Sequence, residues 1–457
     1  MSRIGRRRRN DDDFLFGDDL LGGEPEESAE AIEGTGQAAA RLADGSGFLI
    51  VDGPGAGGVS DHSNAPGICE AASLPERDEA LDGTLPLFIV HRPYFFWRSV
   101  PRLLAQLHAA AGDNLALGVS SWLPGATAQS HADFSLSCAA AAVRIVDPLG
   151  YLAEPQDVRV KKPSDRAVTL APYLRSGVTS IAELLDMQRE RGANLLLTSG
   201  RALAPSDARR SVAAACDEGD GALAELKPGE RLALNLTVSA EWLQRPQLLD
   251  ALLTELIEQQ QFATWHVRVQ WPSPTQAWTQ PTDEKLLAGY RKLAATADDE
   301  ERRLLLPQTG LTGWLMLASG AAGFGTGPSG STQAFLEPVR GGGGKPKIER
   351  YFERQLLHTV ERTARSVLTG DPGYAQCMCP YCRPLLTGAA WSHEYAGLHY
   401  LFSAGTLTAQ VAPTVAGRRG THGAVGRTVR SAIRFAADKA LTGNSDPAHL
   451  RTWDHHL

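Results

Sequence analysis

Long hydrophobic runs are missing from this chain: no apolar stretch reaches the roughly 18 residues that a bilayer-spanning helix needs. A secretory signal is missing too, because Arg6, Arg7, Arg8 and Arg9 are followed by Asn10 and the acids Asp11, Asp12 and Asp13 instead of an apolar segment. Cysteine is scarce, six in 457 residues, and three of the six crowd into one stretch while Cys69, Cys138 and Cys216 are scattered. That distribution argues against a disulfide framework and for a reducing compartment. A basic excess is also absent: the net charge is −7, so any attraction to nucleic acid must come from a local basic face. The expectation is a soluble, cytoplasmic protein with no membrane partner. Aromatic residues are few, at 7%, yet with 43% hydrophobic content the chain can bury a large core. Its length fits two or three domains, or one barrel of about 250 residues with appendages.

What is present begins with Cys377-Met378-Cys379-Pro380-Tyr381-Cys382, followed by His393 and His399. Three thiols and an imidazole are the soft and borderline ligands that tetrahedral Zn²⁺ prefers, and their closeness in sequence lets them converge without distant chain. His399 opens the apolar run Tyr400-Leu401-Phe402, whereas His393 sits between Ser392 and Glu394 at what reads as a helix start, so His399 is the preferred fourth ligand. Three cysteines and one histidine close the coordination sphere, which makes the expected Zn²⁺ site structural.

Residues 1 to about 80 are poor in periodic apolar pattern and rich in Gly, Ala, Ser, Asp and Glu, a composition that predicts a disordered tail. Within it, Phe14-Leu15-Phe16 and Leu20-Leu21 offer a possible docking motif for a protein partner. From residue 85 the pattern changes. Apolar runs at 87–90, 115–119, 141–146, 194–198, 232–236, 265–269, 304–306 and 322–325 alternate mostly with helical segments near 99–111, 181–191, 246–260, 283–296 and 312–319. Eight near-continuous apolar strands separated mostly by helices predict an α/β fold, a (β/α)₈ TIM-like barrel over 85–340, with a doubly wound open sheet as the alternative. The segment 158–170, with Lys161 and Lys162, reads as an insertion after the third strand.

In such barrels chemistry takes place at the C-terminal ends of the strands. The residues there are His91-Arg92, Ser120-Ser121-Trp122, Asp147, Ser199-Gly200-Arg201, Asn235, Thr237, Gln270-Trp271, Gln308-Thr309 and Thr326. A polar ring with one carboxylate suits a planar, hydrogen-bonding ligand, with Ser199, Asn235 and Gln308 as candidate contacts; for each residue the plain alternative is a strand or loop cap. The Gly323–Gly330 run contains Gly325-x-Gly327-x-x-Gly330, which reads either as a phosphate-binding loop or as a Gly-rich connection.

Beyond a glycine hinge at 341–344 lies the region 345–457, expected to be helical, zinc-binding and basic. Arg350, Arg354, Arg362 and Arg365 recur near helical spacing, and Arg418, Arg419, Arg427, Arg430 and Arg434 form a second group. Arg350, Arg354, Arg427 and Arg430 are the candidate contacts to a phosphate backbone. The alternative for the first group is a solvated helix face paired with Glu349, Glu353 and Glu361.

A barrel followed at once by C-x-C-x-x-C and a later histidine resembles the tRNA-guanine transglycosylases and their DNA-modifying 7-deazaguanine relatives. Asp147-Pro148-Leu149-Gly150-Tyr151 is similar to the family's Asp-x-x-Gly-aromatic motif, and Gly330-Ser331-Thr332-Gln333-Ala334-Phe335 to its Gly-x-x-Gln-Ala-Phe stretch. The resemblance implies a structural zinc, Asp147 as acid–base or nucleophilic residue, Gly150, Tyr151 and Gln333 at the base site, and exchange of guanine for a 7-deazaguanine in tRNA or DNA. Where the family carries a second aspartate that attacks the sugar, residues 321–330 contain no Asp or Glu. The alternative is therefore a non-catalytic zinc-containing barrel subunit that binds nucleic acid or scaffolds a partner enzyme.

Overall fold

The computed structural model describes residues 74–93, 96–124, 128–153, 158–159, 180–272, 280–338, 348–387, 391–412 and 417–457. The proposed docking motif at Phe14–Phe16, Lys161 and Lys162 of the insertion, and the glycine hinge at 341–344 lie outside the described residues.

Eight parallel strands close into a barrel in chain order: β1 (Leu87–His91), β2 (Ala116–Trp122), β3 (Val143–Asp147), β4 (Leu195–Leu197), β5 (Arg231–Ser239), β6 (Thr264–Gln270), β7 (Arg303–Leu306) and β8 (Gly323–Thr326). Closure comes from β8 pairing with β1, where Phe324 lies beside Phe88 and Thr326 beside Val90. The helices on the outside are α2 (Val100–Ala111), α3 (Ala128–Ser137), α4 (Ile181–Glu190), α5 (Ala208–Ala224), α6 (Pro246–Glu258), α7 (Glu284–Asp299) and α8 (Gly310–Met316). Each strand alternates its faces. Leu87, Ile89, Ala116, Val143, Ile145, Leu195, Leu197, Ala233 and Leu305 share one inner cluster, whereas Phe88, Val90, Leu117, Leu196, Leu234, Trp265 and Leu304 belong to the layer under the helices. Burying a leucine fully in such a layer contributes roughly 1.5–3 kcal/mol, so the two clusters together carry most of the driving force for closure.

The inner cluster also contains Ala80 and Leu81 of α1 (Leu74–Asp82), which close the N-terminal end of the barrel. This helix begins inside the 1–80 segment whose composition predicts a tail; residues 1–73 lie outside the described residues. In Leu-Pro-Glu-Arg-Asp-Glu-Ala-Leu-Asp the two residues that dock are hidden among charges, and no periodic stripe announces them. Arg77 holds the cap in place by donating to the carbonyls of Asn194 (3.3 Å) and Gly229 (2.9 Å).

After the barrel the chain forms an antiparallel hairpin, β9 (Arg350–Glu353) and β10 (His358–Glu361), then α9 (Cys382–Thr387), α10 (His393–Gln410), α11 (Gly417–Ala436) and α12 (His449–His455). The helix expected to carry Arg350 and Arg354 is instead a strand followed by a turn, because Tyr351 and Phe352 bury in one core with Leu356, Leu357 and Val360. Arg350 meets Glu361 across the hairpin (3.1 Å) and Arg362 meets Glu349 (2.8 Å), so the paired alternative describes these two arginines. This region packs directly on the barrel's flank. Trp314 of α8 donates its indole N–H to the Leu407 carbonyl (3.2 Å), the Thr326 and Tyr400 hydroxyls lie 2.9 Å apart, and the side chain of Ser99 donates to Glu394 (2.5 Å).

Candidate functional site

The C-terminal end of the barrel holds a chain of buried polar side chains. β6 reads Thr-Trp-His-Val-Arg-Val-Gln. Trp265, Val267 and Val269 face the helices, so His266, Arg268 and Gln270 take the inner parity. Arg268 reaches across to Asp147 at the end of β3, and the two form a completely buried ion pair. The guanidinium also donates from Nε to Gln308 Oε1 (2.9 Å) and from Nη1 to Thr237 Oγ1 (3.4 Å). Asp147 Oδ1 accepts from the Leu149 N–H (3.0 Å) and from Asn235 Nδ2 (3.4 Å). Asn235 donates as well to the Thr198 carbonyl (3.2 Å), which fixes the amide so that its oxygen faces His266 Nδ1 at 2.7 Å and accepts a hydrogen bond from its N–H.

The electrostatics follow from this wiring. Burial alone would raise Asp147, but the Arg268 guanidinium and the Leu149 N–H outweigh it and hold the carboxyl below its usual value. His266 is pushed down to about 3, mainly by burial and further by Arg268, against the pull of Asp147. His91 is pushed down to about 4 by burial and Arg268, against Asp147 and the Gly325 carbonyl. Near neutrality the cluster is thus one anion, one cation and two neutral imidazoles.

The backbone here is strained. Leu149, with φ 53°, takes the left-handed region so that its N–H can return to Asp147, and Gln308, with φ 50°, does the same under the Arg268 bond. Two of the four non-glycine left-handed residues among those described lie in this one cluster. Such strain costs of order 1–3 kcal/mol per residue and collects where function demands a geometry. Gly150 is required by a close approach: a Cβ there would run into the Ser199 carbonyl, which accepts from the Gly150 N–H (2.8 Å). Ser199 is held from behind by Glu218 of α5, which accepts from its N–H (2.7 Å) and its hydroxyl (2.9 Å). Tyr151 lies with its ring centroid 5.3 Å from the Arg268 guanidinium and 4.9 Å from the Phe335 ring, and burial pushes its hydroxyl up to about 12.

Of the residues singled out from sequence, Asp147, Gly150, Tyr151, Ser199, Asn235 and Gln308 come together here. Gln333 is buried in a short turn of helix at Gly330–Gln333, and no hydrogen bond among the described residues ties it to the Asp147 cluster. Arg268, His266 and Glu218 were not anticipated. Their signal was parity: His266 and Arg268 share a face of β6, but only the register of the closed sheet says which face points in.

A second constellation sits on the barrel's flank. Ligand atoms of Cys377, Cys382 and His399 lie within 4.8 Å of one another, and Cys379 Sγ is 3.1 Å from His399 Nδ1. A tetrahedral site with bonds near 2.3 Å has edges of about 3.8 Å, so this donor set fits a metal ion. The Nε2 of His399 lies 2.7 Å from the Phe352 carbonyl on β9, which accepts a hydrogen bond from it and leaves the Nδ1 lone pair free to face the thiols or a metal ion. His393 is exposed at the start of α10 and lies outside this group.

Arg427 and Arg430 are exposed on α11, and Arg430 is 3.4 Å from Asp454. Among the described residues neither is hydrogen-bonded or ion-paired to Asp147. Helix α11 begins at the opposite, N-terminal end of the barrel, where Thr421 lines a cavity with Thr84, Pro86, Arg303 and Ala322. Arg354 is half-buried beside the hairpin. No helix among the described residues is long and apolar enough to cross a membrane. The sequence matches no protein-family model and no curated protein.

Proposed function

We propose that this protein is a tRNA-guanine transglycosylase-like nucleic-acid protein that takes a guanine-like base into the barrel end around Asp147 and holds a structural Zn²⁺ through Cys377, Cys379, Cys382 and His399. The observation that carries the reading is the enclosed Asp147–Arg268 pair, supported by strained Leu149 and Gln308 and roofed by Tyr151. A carboxylate has roughly four lone-pair positions, and Leu149, Asn235 and Arg268 use three. The remaining one can accept from a base N–H, and the aromatic rings of Tyr151 and Phe335 supply faces for stacking. The zinc, when bound, supplies a cross-link between hairpin, α9 and α10; it has no part in proton movement.

Base exchange in tRNA or DNA would need a group that stabilises a cationic sugar. Asp147, held ionised, suits that electrostatic role better than proton transfer, because a depressed carboxyl is a weak base. One observation favours the second reading, a non-catalytic subunit: among the described residues, no other carboxylate is hydrogen-bonded to Asp147 or its partners Arg268 and Asn235, and the charge paired with Asp147 is a cation. In either case Arg427 and Arg430 would meet phosphates on the flank.

Titration of guanine against the wild type, Asp147→Asn and Tyr151→Leu tests the site. Binding by the wild type, weakened at least about tenfold in folded samples of both variants, is expected. Folded wild-type protein that binds no guanine ends the reading. Incorporation of labelled guanine into tRNA or duplex DNA separates exchange from binding alone. Arg427→Glu with Arg430→Glu should weaken nucleic-acid binding and lower its salt slope by about 2, one per lost phosphate contact; an unchanged slope assigns α11 to solvent.

A further inference from the structure

Two side chains at the same barrel end each carry a polar atom with no partner among the described residues. His91 and Ser120 are register neighbours on β1 and β2, both about 1% exposed, and among the described residues His91 Nδ1 and Ser120 Oγ make no hydrogen bond. Both face inward: His91 shares its parity with Leu87 and Ile89, and Ser120 with Ala116, all inner-cluster residues. The imidazole lies over Gly325 of β8, where an added Cβ would come within 2.8 Å of Nε2, so the missing side chain on β8 makes the space the ring occupies. In the neutral ring His91 Nε2 accepts from the Gln308 N–H (3.2 Å), which assigns the ring proton to Nδ1 and makes that atom a donor; the Gly325 carbonyl favours only the charged ring. Buried polar atoms in folded proteins are almost always paired, and a neutral donor left open beside a charged cluster asks for an acceptor from outside the chain.

Strand order adds direction. β1, β2 and β3 are consecutive in the sheet, so His91, Ser120 and Asp147 present a donor, a hydroxyl and an acceptor across three adjacent strands, with Asp147 one inward-facing position beyond Ile145, the register partner of Ser120. We propose that His91 Nδ1–H and Ser120 Oγ–H form a second, uncharged subsite that reads the carbonyl and ring-nitrogen acceptors of a guanine whose N–H edge faces Asp147. The assignment rests on the base-binding reading above and adds which edge each side of the site recognises. Guanine offers donors at N1 and N2 next to acceptors at O6 and N7, matching that order; adenine places an amino group where the imidazole N–H would donate.

The test compares guanine with 6-thioguanine, which keeps the N1 and N2 donors but replaces O6 by a poor acceptor. The wild type should prefer guanine about tenfold, the worth of one well-made hydrogen bond. Ser120→Ala, which deletes a single oxygen, and His91→Phe should each bring that preference down to about threefold or less while 6-thioguanine binding stays near its wild-type level. Adenine should bind the wild type at least about tenfold more weakly than guanine. If the wild type binds no purine, the base-binding reading fails and this one with it. If it binds guanine and folded Ser120→Ala and His91→Phe keep the full preference, the subsite alone is overturned, and the two atoms are hydrated.

Discussion

Asp147 and Arg268 are each other's only ion-pair partner among the described residues, and that sets the cost of touching either. Asp147→Asn leaves the guanidinium buried without its counter-charge, a change that typically costs about 3–5 kcal/mol, so urea unfolding should show a loss of that order. Adding Arg268→Met to the same protein should recover part of it, because an apolar pair of similar volume removes the stranded charge. An Asp147→Asn protein as stable as the wild type would mean that the pair is already hydrated. The buried imidazoles add a pH dependence of definite sign. His91, His266 and His358 are held by burial below the ordinary 6.5, at about 4, 3 and 4. The unfolded chain therefore binds more protons than the native one once pH drops below that ordinary value. Their contribution is fully present above pH 6.5 and is lost as pH falls toward 4, at up to about 1.4 kcal/mol per unit for each group. Chemical unfolding between pH 4 and 8 should show this decline, and His358→Phe should make it shallower; a flat profile would mean that these rings are solvated.

At the scale of elements, the hairpin and α10 are joined through one imidazole. His399 binds Phe352 of β9 with one nitrogen and faces the thiols with the other, so metal loss loosens two elements together. Purified protein should contain about one zinc per chain, and Cys379→Ser should lower both metal content and stability. Intact protein without zinc or another bound metal would remove the structural role assigned to the thiols. The hairpin also shows how spacing misleads. Arginines at 350 and 354 fit a helical period, but Tyr351 and Phe352 of that segment and Val360, opposite Tyr351 on β10, are all buried in the core, and cross-strand pairing of Arg350 with Glu361 satisfies the charge. A four-residue spacing is common to one turn of helix and to a strand running into a turn, and only burial decides between them.

For the molecule as a whole, barrel and C-terminal region are one body of packed side chains. A continuous apolar cluster runs from Phe88 and Leu104 through Trp314 to Leu401, Val429 and Trp453. Cys379→Ser should accordingly shift a single calorimetric transition; two separate transitions would mean that the thiol region melts independently of the barrel. The sequence by itself determined the eight strands, since 3–6 residue apolar runs separated mostly by amphipathic helices admit few arrangements, and it determined the thiol cluster, since ligands near in sequence converge locally. It also placed Asp147, Asn235 and Gln308 at one end, because strand ends in a parallel barrel share a rim. Tertiary structure alone decided that Asp147 is paired with Arg268, 121 residues away. It alone decided that α1 caps the barrel, and that the arginines of α11 start from the far end. Those facts depend on which parity of each strand turns inward and on how the ring closes, and both are set by the register between strands, which no single segment encodes.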